Sequence, residues 1–322
     1  MAQAGTTIST VRKSAPLLLQ RLQQGISAPP VELIYTPHSR WPLPHPQIIQ
    51  HSNRPLRISV LDSSFNPPTL AHLALAKSPC PSDRDDGEKN SKVQDICGYD
   101  AKLLLLSVKN VDKSLKAGDA TYQQRLEMML LLSKDVIGST NTDASHSLPK
   151  REAANVAIAI IDKPTFVGKS STLLEFLQRR LTTPLPIELT FLVGLDTLER
   201  LFSPRYYTSE SDMMASLRQF LSAAPQGDNS RIVCAKRVTE ASQSIENLED
   251  LPSLALAKEF RESDRIVIID IGNIVNSYSS STIRSAIGRF GLEQSIDQDS
   301  GWKSMVTRDI ADYIVEQRLY VD

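Results

Sequence analysis

Short apolar runs alternate with amphipathic segments along most of this 322-residue chain, and this alternation limits the fold more than any other feature. The apolar runs that we predict as strands span residues 56–61, 103–107, 156–161, 187–193, 231–235 and 265–271. The segments between them that we predict as helices span residues 122–137, 173–181, 212–223 and 254–260. Strands and helices that alternate in this way predict an α/β fold, a doubly wound, Rossmann-like, mainly parallel sheet with helices on both faces.

The first core strand ends in a segment whose residue types suit phosphate binding. Residues 62–72 read DSSFNPPTLAH, in which two small serines and two prolines precede a helix that we predict to begin near Thr69. His72 then lies in the first turn of that helix, where main-chain amides attract anions and a histidine can offer a proton or a positive charge to phosphate. The alternative is an ordinary strand-to-helix turn with a histidine on the surface.

Two later strands also run into segments with possible chemistry. The strand at 187–193 leads into Gly194 and Asp196, where glycine admits a ligand to the main chain and the carboxylate accepts hydrogen bonds or caps the next helix. The last core strand leads into SYSSSTIR at 277–284. Hydroxyls at a helix start, with Arg284 one turn later, form a compact anion site, for which the alternative is a serine-rich cap and a solvated arginine.

The composition excludes several classes of protein. A formal charge of −1 with 23% charged residues does not favour a nucleic-acid partner. The three cysteines, Cys80, Cys97 and Cys234, are widely spaced and form no C-x-x-C pair, which argues against a disulfide framework or a structural zinc site. No apolar run approaches the about 20 residues that cross a bilayer. We expect no membrane span and a cytoplasmic or nuclear location.

The N-terminal part of the chain has a composition of its own. We predict an arm at residues 1–55, which could hold a helix, and a nucleotide-site domain at 56–322 with insertions near 79–99 and 139–152. Residues 1–31 contain no acidic residue and three basic ones, Arg12, Lys13 and Arg21. This composition fits either a mitochondrial transit peptide or an amphipathic helix packed on the domain, so a mitochondrial location stays open.

The chemical segments together resemble the signatures of a known family. Residues 63–72 resemble the G-x-F-x-P-x-[HT]-x-x-H signature of the nucleotidyltransferase superfamily, in its nicotinamide mononucleotide adenylyltransferase form. Residues 278–284 resemble the I-S-S-[ST]-x-x-R signature, and residues 194–196 are similar to the G-x-D segment. The matches follow the family's order, in strand and helix context, over roughly residues 56–320. The arm and the insertions are similar to a divergent, fungal-like branch of the nicotinamide/nicotinate mononucleotide adenylyltransferases.

This resemblance implies a reaction with little covalent work for the protein. In the family, the phosphate of a mononucleotide attacks the α-phosphorus of ATP in line, pyrophosphate leaves, and Mg²⁺ assists. The implied partners are ATP and nicotinamide mononucleotide, the implied products are NAD and pyrophosphate, and a homo-oligomer is compatible with the family. No side chain of the protein is predicted as a metal ligand.

The resemblance also implies roles for individual residues. His72 and Arg284 would be catalytic, His72 on the ATP phosphates and Arg284 on the departing pyrophosphate. The implied substrate-binding residues are Ser63, Ser64, Phe65, Asn66, Thr69, Lys113, Arg125, Gly194, Asp196, Ser279, Ser280, Ser281 and Thr282. For Lys113 and Arg125, a solvated surface charge is the favoured alternative.

Departures from the signatures leave two other functions open. Ser63 stands where the first signature has glycine, and its Cβ is expected to narrow the phosphate approach; Tyr278 replaces the leading isoleucine of the second. One alternative is a transferase for another phosphate acceptor, such as phosphopantetheine or a phosphocholine-like head group, with ATP or CTP. The other is a nucleotide-binding or ATP-hydrolysing regulator that has kept the fold and works through a partner protein.

Overall fold

A seven-stranded sheet lies at the centre of the protein. The computed structural model describes residues 7–44, 54–81, 98–109, 116–138, 155–236, 256–293 and 301–321. The strands are β1 (Val31–Tyr35), β2 (Leu56–Asp62), β3 (Ala101–Ser107), β4 (Val156–Ile161), β5 (Ile187–Gly194), β6 (Arg231–Ala235) and β7 (Ile266–Ile269). They lie in the order β1-β4-β3-β2-β5-β6-β7, and every neighbouring pair is parallel except β1 with β4. The predicted doubly wound α/β fold is therefore confirmed.

Helices connect the strands and cover both faces of the sheet. In the described part of the chain they are α1 (Ile8–Gln23), α2 (Leu70–Lys77), α3 (Tyr122–Gly138), α4 (Phe166–Arg180), α5 (Leu195–Leu201), α6 (Glu210–Leu221), α7 (Lys258–Glu262), α8 (Asn273–Asn276), α9 (Ser280–Phe290) and α10 (Arg308–Glu316). The predicted helix at 173–181 begins earlier than expected, because Thr165 caps α4 by accepting a hydrogen bond from the Gly168 main-chain N–H. After Phe166 and Val167 the helix is small or polar as far as Thr172, so the apolar pattern shows it only from Leu173.

The direction of winding reverses beside β2. From β2 the chain moves to β3 and β4 on one side, then returns to β5, which pairs with β2 on the other side. The carboxyl ends of β2 and β5 therefore flank a topological switch point, which is where open α/β sheets bind ligands.

Two apolar cores lie on the two faces of the sheet, and β4 contributes to both. Val156, Ile158 and Ile160 join the core that includes side chains of α1, α3, α9 and α10, whereas the alternate residues Ala157, Ala159 and Ile161 join the core that includes α4, α5 and α6. All six side chains are fully buried. A parallel strand covered on both faces is expected to be apolar throughout, and this explains why the sequence pattern found it.

The sequence analysis missed the edge strand. Val31–Tyr35, which lies within the predicted arm, pairs antiparallel with β4. The segment reads VELIY, and Glu32 interrupts an apolar run that is already short. The helix α1 packs on the same part of the domain, where it buries Val11, Ala15 and Leu22. The division of the chain at residue 56 stays a prediction.

Parts of the predicted surface segments are not covered by the structure. Residues 82–97 and 139–154, which include most of both predicted insertions, lie outside the described residues, as does Cys97. Cys80 and Cys234 are buried free thiols. Within the described ranges, no helix combines the length and the apolar character that crossing a membrane requires.

Candidate active site

An open cleft of about 800 Å³ lies at the carboxyl ends of β2 and β5, at the switch point. The structure brings most of the predicted site residues to its walls: Ser63, Ser64, Asn66, His72, Arg125, Gly194, Asp196, Ser279, Ser280, Ser281 and Arg284. Phe65, Thr69 and Thr282 do not line it, and Lys113 lies outside the described residues. Segments that are more than 200 residues apart in sequence thus meet at one cleft, as Asn66 and Arg284 do with a separation of 218.

The turn after β2 has an unusual backbone held by a buried ring. Phe65 has a φ of 45°, in the left-handed region that residues other than glycine seldom adopt. Its side chain is fully buried, and its ring centroid lies 5.5 Å from that of His72. Residues held in such conformations cluster at functional sites, because the surrounding structure must impose them.

Three hydrogen bonds fix the imidazole of His72, one of them between its Nδ1 and the Thr69 hydroxyl at 2.9 Å. Its Nδ1 accepts a hydrogen bond from the main-chain N–H of Thr69, the N-cap of α2, at 3.0 Å. Its Nε2 lies 2.8 Å from Oγ of Ser63. Burial lowers the pKa of His72 to about 4. The side chain is therefore neutral at pH 7 in this structure and brings no positive charge to the cleft.

The second signature begins a helix, as the sequence predicts. Ser279 is the N-cap of α9, and its hydroxyl accepts a hydrogen bond from the Thr282 main-chain N–H at 3.1 Å. The serine-rich cap that we gave as an alternative is thus present. It does not account for Ser280 and Ser281, which line the cleft.

The two signatures are joined by hydrogen bonds. The hydroxyl of Ser280 donates to the main-chain oxygen of Pro67 at 2.8 Å, and Nη1 of Arg284 donates to that of Asn66 at 2.6 Å. The alternative of a simply solvated Arg284 is therefore wrong. These bonds fix the start of α9 against the turn after β2, and the Arg284 side chain lines the cleft.

Asp119, which the sequence analysis missed, connects several of the predicted site residues. Its carboxylate accepts a hydrogen bond from Nδ2 of Asn66 at 2.7 Å and lies 3.5 Å from the Arg125 guanidinium and 3.6 Å from that of Arg284. Burial alone would raise its pKa, but bonds from the Lys116 main chain and Asn66, with the two arginines, lower it overall. No motif marks this aspartate, because it lies in a loop between β3 and α3.

Arg125 is buried, so the surface alternative that we favoured for it is wrong. Its Nε donates to the main-chain oxygen of Ala120 at 2.8 Å, and its Nη1 to that of Ser64 at 3.4 Å. Arg125 lies on α3, and from there its side chain reaches the turn after β2. Arg125 thus supports the main chain of the first signature and borders the cleft.

A buried ion pair in the cleft wall is a second feature that sequence reasoning missed. The ammonium of Lys169, on α4, binds the carboxylate of Asp62, the last residue of β2. The same ammonium lies 5.0 Å from the ring centroid of Phe166, within the range of a cation–π contact. Both charged side chains line the cleft.

The third predicted segment forms the wall at the end of β5. Gly194 is the N-cap of α5, so the alternative that Asp196 caps this helix is wrong. Asp196 is exposed in the first turn of α5 and lines the cleft. A Cβ at Gly194 would meet nothing within 4 Å, so a ligand has room to approach the main chain there.

Comparisons with known proteins give one relative by sequence. No family model matches the chain. A curated protein of Schizosaccharomyces pombe, named "Putative nicotinamide mononucleotide adenylyltransferase", is 28% identical over 239 residues, which are 74% of this chain and 78% of the relative.

Two similar solved structures are of nicotinic acid mononucleotide adenylyltransferase from Plasmodium falciparum, one complexed with NaAD and one with APC. The two are 16% and 14% identical in sequence to this chain, and both TM-scores are 0.45. Each match covers 82% of this chain, and it covers 97% of the first solved chain and 96% of the second. The signatures, their order along the chain and the fungal relative identify the chain as a divergent, fungal-like relative of the nicotinamide/nicotinate mononucleotide adenylyltransferases, in the nucleotidyltransferase superfamily.

Proposed function

We propose that the protein transfers the adenylyl group of ATP to nicotinamide mononucleotide and forms NAD and pyrophosphate. The observation that carries this proposal is the contact between the two signatures at the mouth of the cleft, where Ser280 and Arg284 hydrogen-bond to the turn that follows β2. The name of the fungal relative supports the same reaction. One cleft is thus lined by a histidine and by a helix start with an arginine, both suited to phosphate.

The proposed chemistry needs positioning and charge stabilisation, not a protein nucleophile. An oxygen of the mononucleotide phosphate forms a bond to the α-phosphorus of ATP while the bond from that phosphorus to the bridging oxygen breaks. Negative charge then grows on the departing pyrophosphate. Arg284, the hydroxyl of Ser281 and the main-chain amides at the start of α9 line the part of the cleft that would receive it, whereas the hydroxyl of Ser280 is already bonded to Pro67. His72 also lines the cleft, where it is held as a neutral hydrogen-bond donor.

We propose that Mg²⁺ enters with ATP as part of the substrate. The described residues contain no group of three or more His, Cys, Asp or Glu side chains that could hold a metal ion. The carboxylates nearest to the two signatures, Asp62 and Asp119, are engaged by Lys169 and by the two site arginines. Phosphate oxygens and water are the usual ligands of Mg²⁺ in such sites, and this donor set is consistent with that arrangement.

The proposal is tested by incubating the purified protein with ATP, Mg²⁺ and nicotinamide mononucleotide and measuring NAD by chromatography. We expect NAD and pyrophosphate in equal amounts and much less of both from His72→Ala. NAD at or below the level of that variant would overturn the proposal. Nicotinate mononucleotide in a parallel incubation measures the preference between the two acceptors.

The same incubations separate the other functions of this fold. Pyrophosphate release that depends on phosphopantetheine or a phosphocholine-like acceptor, and not on a pyridine mononucleotide, would replace the proposal with another transferase. Orthophosphate release from ATP without any acceptor would replace it with an ATP-hydrolysing regulator. Each of these outcomes is a measurable release of pyrophosphate or orthophosphate. A protein that is inactive toward one acceptor can therefore still be assigned to another function.

A further inference from the structure

Ser63, the residue that replaces the glycine of the first signature, contacts the signature's histidine directly. Its Oγ lies 2.8 Å from Nε2 of His72, and both side chains line the cleft. The sequence analysis named Ser63 among the substrate-binding residues but expected its side chain to narrow the phosphate approach. The contact instead gives the serine hydroxyl a defined partner at the end of the cleft where the two signatures meet.

The direction of this hydrogen bond follows from the other side of the ring. A main-chain N–H can only donate, so Nδ1 of His72 accepts from Thr69 and carries no proton. A neutral imidazole then has its proton on Nε2 and donates it to Oγ of Ser63. The hydroxyl, as acceptor of this bond, keeps its own proton to donate elsewhere. Among the described residues, Ser63 Oγ has no second hydrogen-bond partner, and it borders the cleft.

The imidazole of His72 cannot turn to contact a ligand in place of Ser63 without losing its own contacts. His72 is the third residue of α2, and its bond to the Thr69 main chain is the one that a capping-box side chain makes at this position. Its ring also packs on the buried ring of Phe65. A turn of the imidazole toward a ligand would break the cap and the ring contact together.

We propose that the hydroxyl of Ser63 donates a hydrogen bond to a phosphate oxygen of bound ATP, and that His72 acts through Ser63 as the residue that orients and polarises this hydroxyl. The proposal rests on the proposed function only in assigning a nucleoside triphosphate to the cleft. A donor that itself accepts a hydrogen bond is a stronger donor, and the bond to a charged phosphate exceeds one between neutral groups. The serine then binds the phosphate and does not obstruct it.

A double-mutant cycle on ATP affinity tests the proposal. We would measure binding of α,β-methylene ATP with Mg²⁺ by calorimetry, without an acceptor, for the native protein, Ser63→Ala, His72→Ala and the double variant. Each single change is expected to weaken binding on the order of tenfold, which is the effect of one lost hydrogen bond to a charged group. The double variant is expected to bind no more weakly than the singles, because both changes remove the same contact. Losses that multiply in the double variant would overturn the proposal.

Two further variants exclude a purely steric or structural effect. Ser63→Gly restores the glycine of the signature, and we expect it to bind ATP as weakly as Ser63→Ala; tighter binding would show that the serine obstructs the phosphate and would overturn the proposal. His72→Gln keeps an N–H near the position of Nε2, so we expect it to bind ATP better than His72→Ala, and equal weakness would contradict the role of the histidine. Ser171→Ala, which removes an exposed hydroxyl on α4 away from the cleft, is the matched control.

Failure of this proposal and failure of the proposed function give different results. The cycle measures ATP binding alone. Coupling between Ser63 and His72 in a protein that makes no NAD would therefore contradict nicotinamide mononucleotide as the acceptor, while the contact between Ser63 and ATP would still be supported. Normal NAD formation, together with losses of ATP affinity that multiply in the double variant, would contradict the contact between Ser63 and ATP but not the proposed function. In the active enzyme, loss of the serine contact is expected to raise KM for ATP more than KM for the mononucleotide.

Discussion

Asp62 and Lys169 form an ion pair in the wall of the cleft, and their side chains are only 7% and 6% exposed. The pair joins the last residue of β2 to the first turns of α4. Asp62 is also the neighbour of Ser63 in the chain, so the pair anchors the point at which the phosphate-site turn begins. A buried charge that loses its partner is left uncompensated in a medium of low polarity.

We predict that Lys169→Met destabilises the protein by about 3–5 kcal/mol, because it leaves the buried Asp62 carboxylate unpaired. The double change Asp62→Asn with Lys169→Met should cost clearly less than the sum of the single changes, since no charge then remains. Urea unfolding followed by circular dichroism measures all three. Arg218→Met is the control, because its pair with Glu259 is exposed and is expected to contribute little to stability. Additive single effects would show that the two charges do not stabilise each other.

The N-terminal helix is predicted to contribute to stability through one arginine. Arg12 on α1 binds Glu127 through two hydrogen bonds, of 3.0 and 2.6 Å, and the Glu127 side chain is 1% exposed. Arg12→Ala leaves that carboxylate with Gln123 and Tyr313, so we expect a clear loss in the free energy of unfolding. Urea unfolding measures it.

The matched control for this prediction is Arg21→Ala, which removes another arginine from the same helix. Its pair with Glu32 is more exposed, and the expected loss is below about 1 kcal/mol. Equal losses in the two variants would mean that the buried partner of Arg12 gives it no special role. A larger loss for Arg12→Ala shows that α1 is part of the stable domain.

The pH dependence of stability is predicted to show the neutral state of His72. Its folded pKa of about 4 lies below the ordinary value of 6.5, so between these values the unfolded chain binds a proton that the native protein does not. Stability from this source is complete above pH 6.5 and is lost as the pH falls toward 4. We expect the urea midpoint of the native protein to fall more steeply over this range than that of His72→Gln. Parallel curves would show that His72 titrates normally; the carboxylates affect both proteins equally.

Sequence reasoning found every strand of the sheet except β1, which is one of its two edge strands. The predicted ranges 156–161 and 231–235 coincide with β4 and β6, because unbroken apolar runs suit no other environment in a parallel sheet. The strand β1 pairs on one side only and tolerates a glutamate, so its pattern is weak. Its place in the sheet depends on β4, which lies more than 100 residues further along the chain.

The site shows the same limit at the level of side chains. His72 and Arg284 stood out because each lies at a fixed spacing from a helix start, which is information that a local pattern carries. Asp119 and Lys169 reach the cleft from a loop and a helix that have no such pattern. Their importance depends on partners that only the fold brings near, with separations of 53 residues to Asn66 and 107 to Asp62.

The last prediction concerns the planar geometry of the Arg284 guanidinium near the start of α9. Arg284 uses Nη1 for the Asn66 main-chain oxygen, lies near Asp119, and still borders the cleft, so its planar fork connects the two signatures and a ligand at once. Lysine keeps the charge but not the fork, and we expect Arg284→Lys to lower kcat/KM for ATP on the order of tenfold to a hundredfold while the urea midpoint changes little. Arg289→Lys, an exposed change on the same helix, should leave both measurements unchanged. An Arg284→Lys enzyme as active as the Arg289→Lys control would show that charge alone is sufficient and that the fork is not used for phosphate.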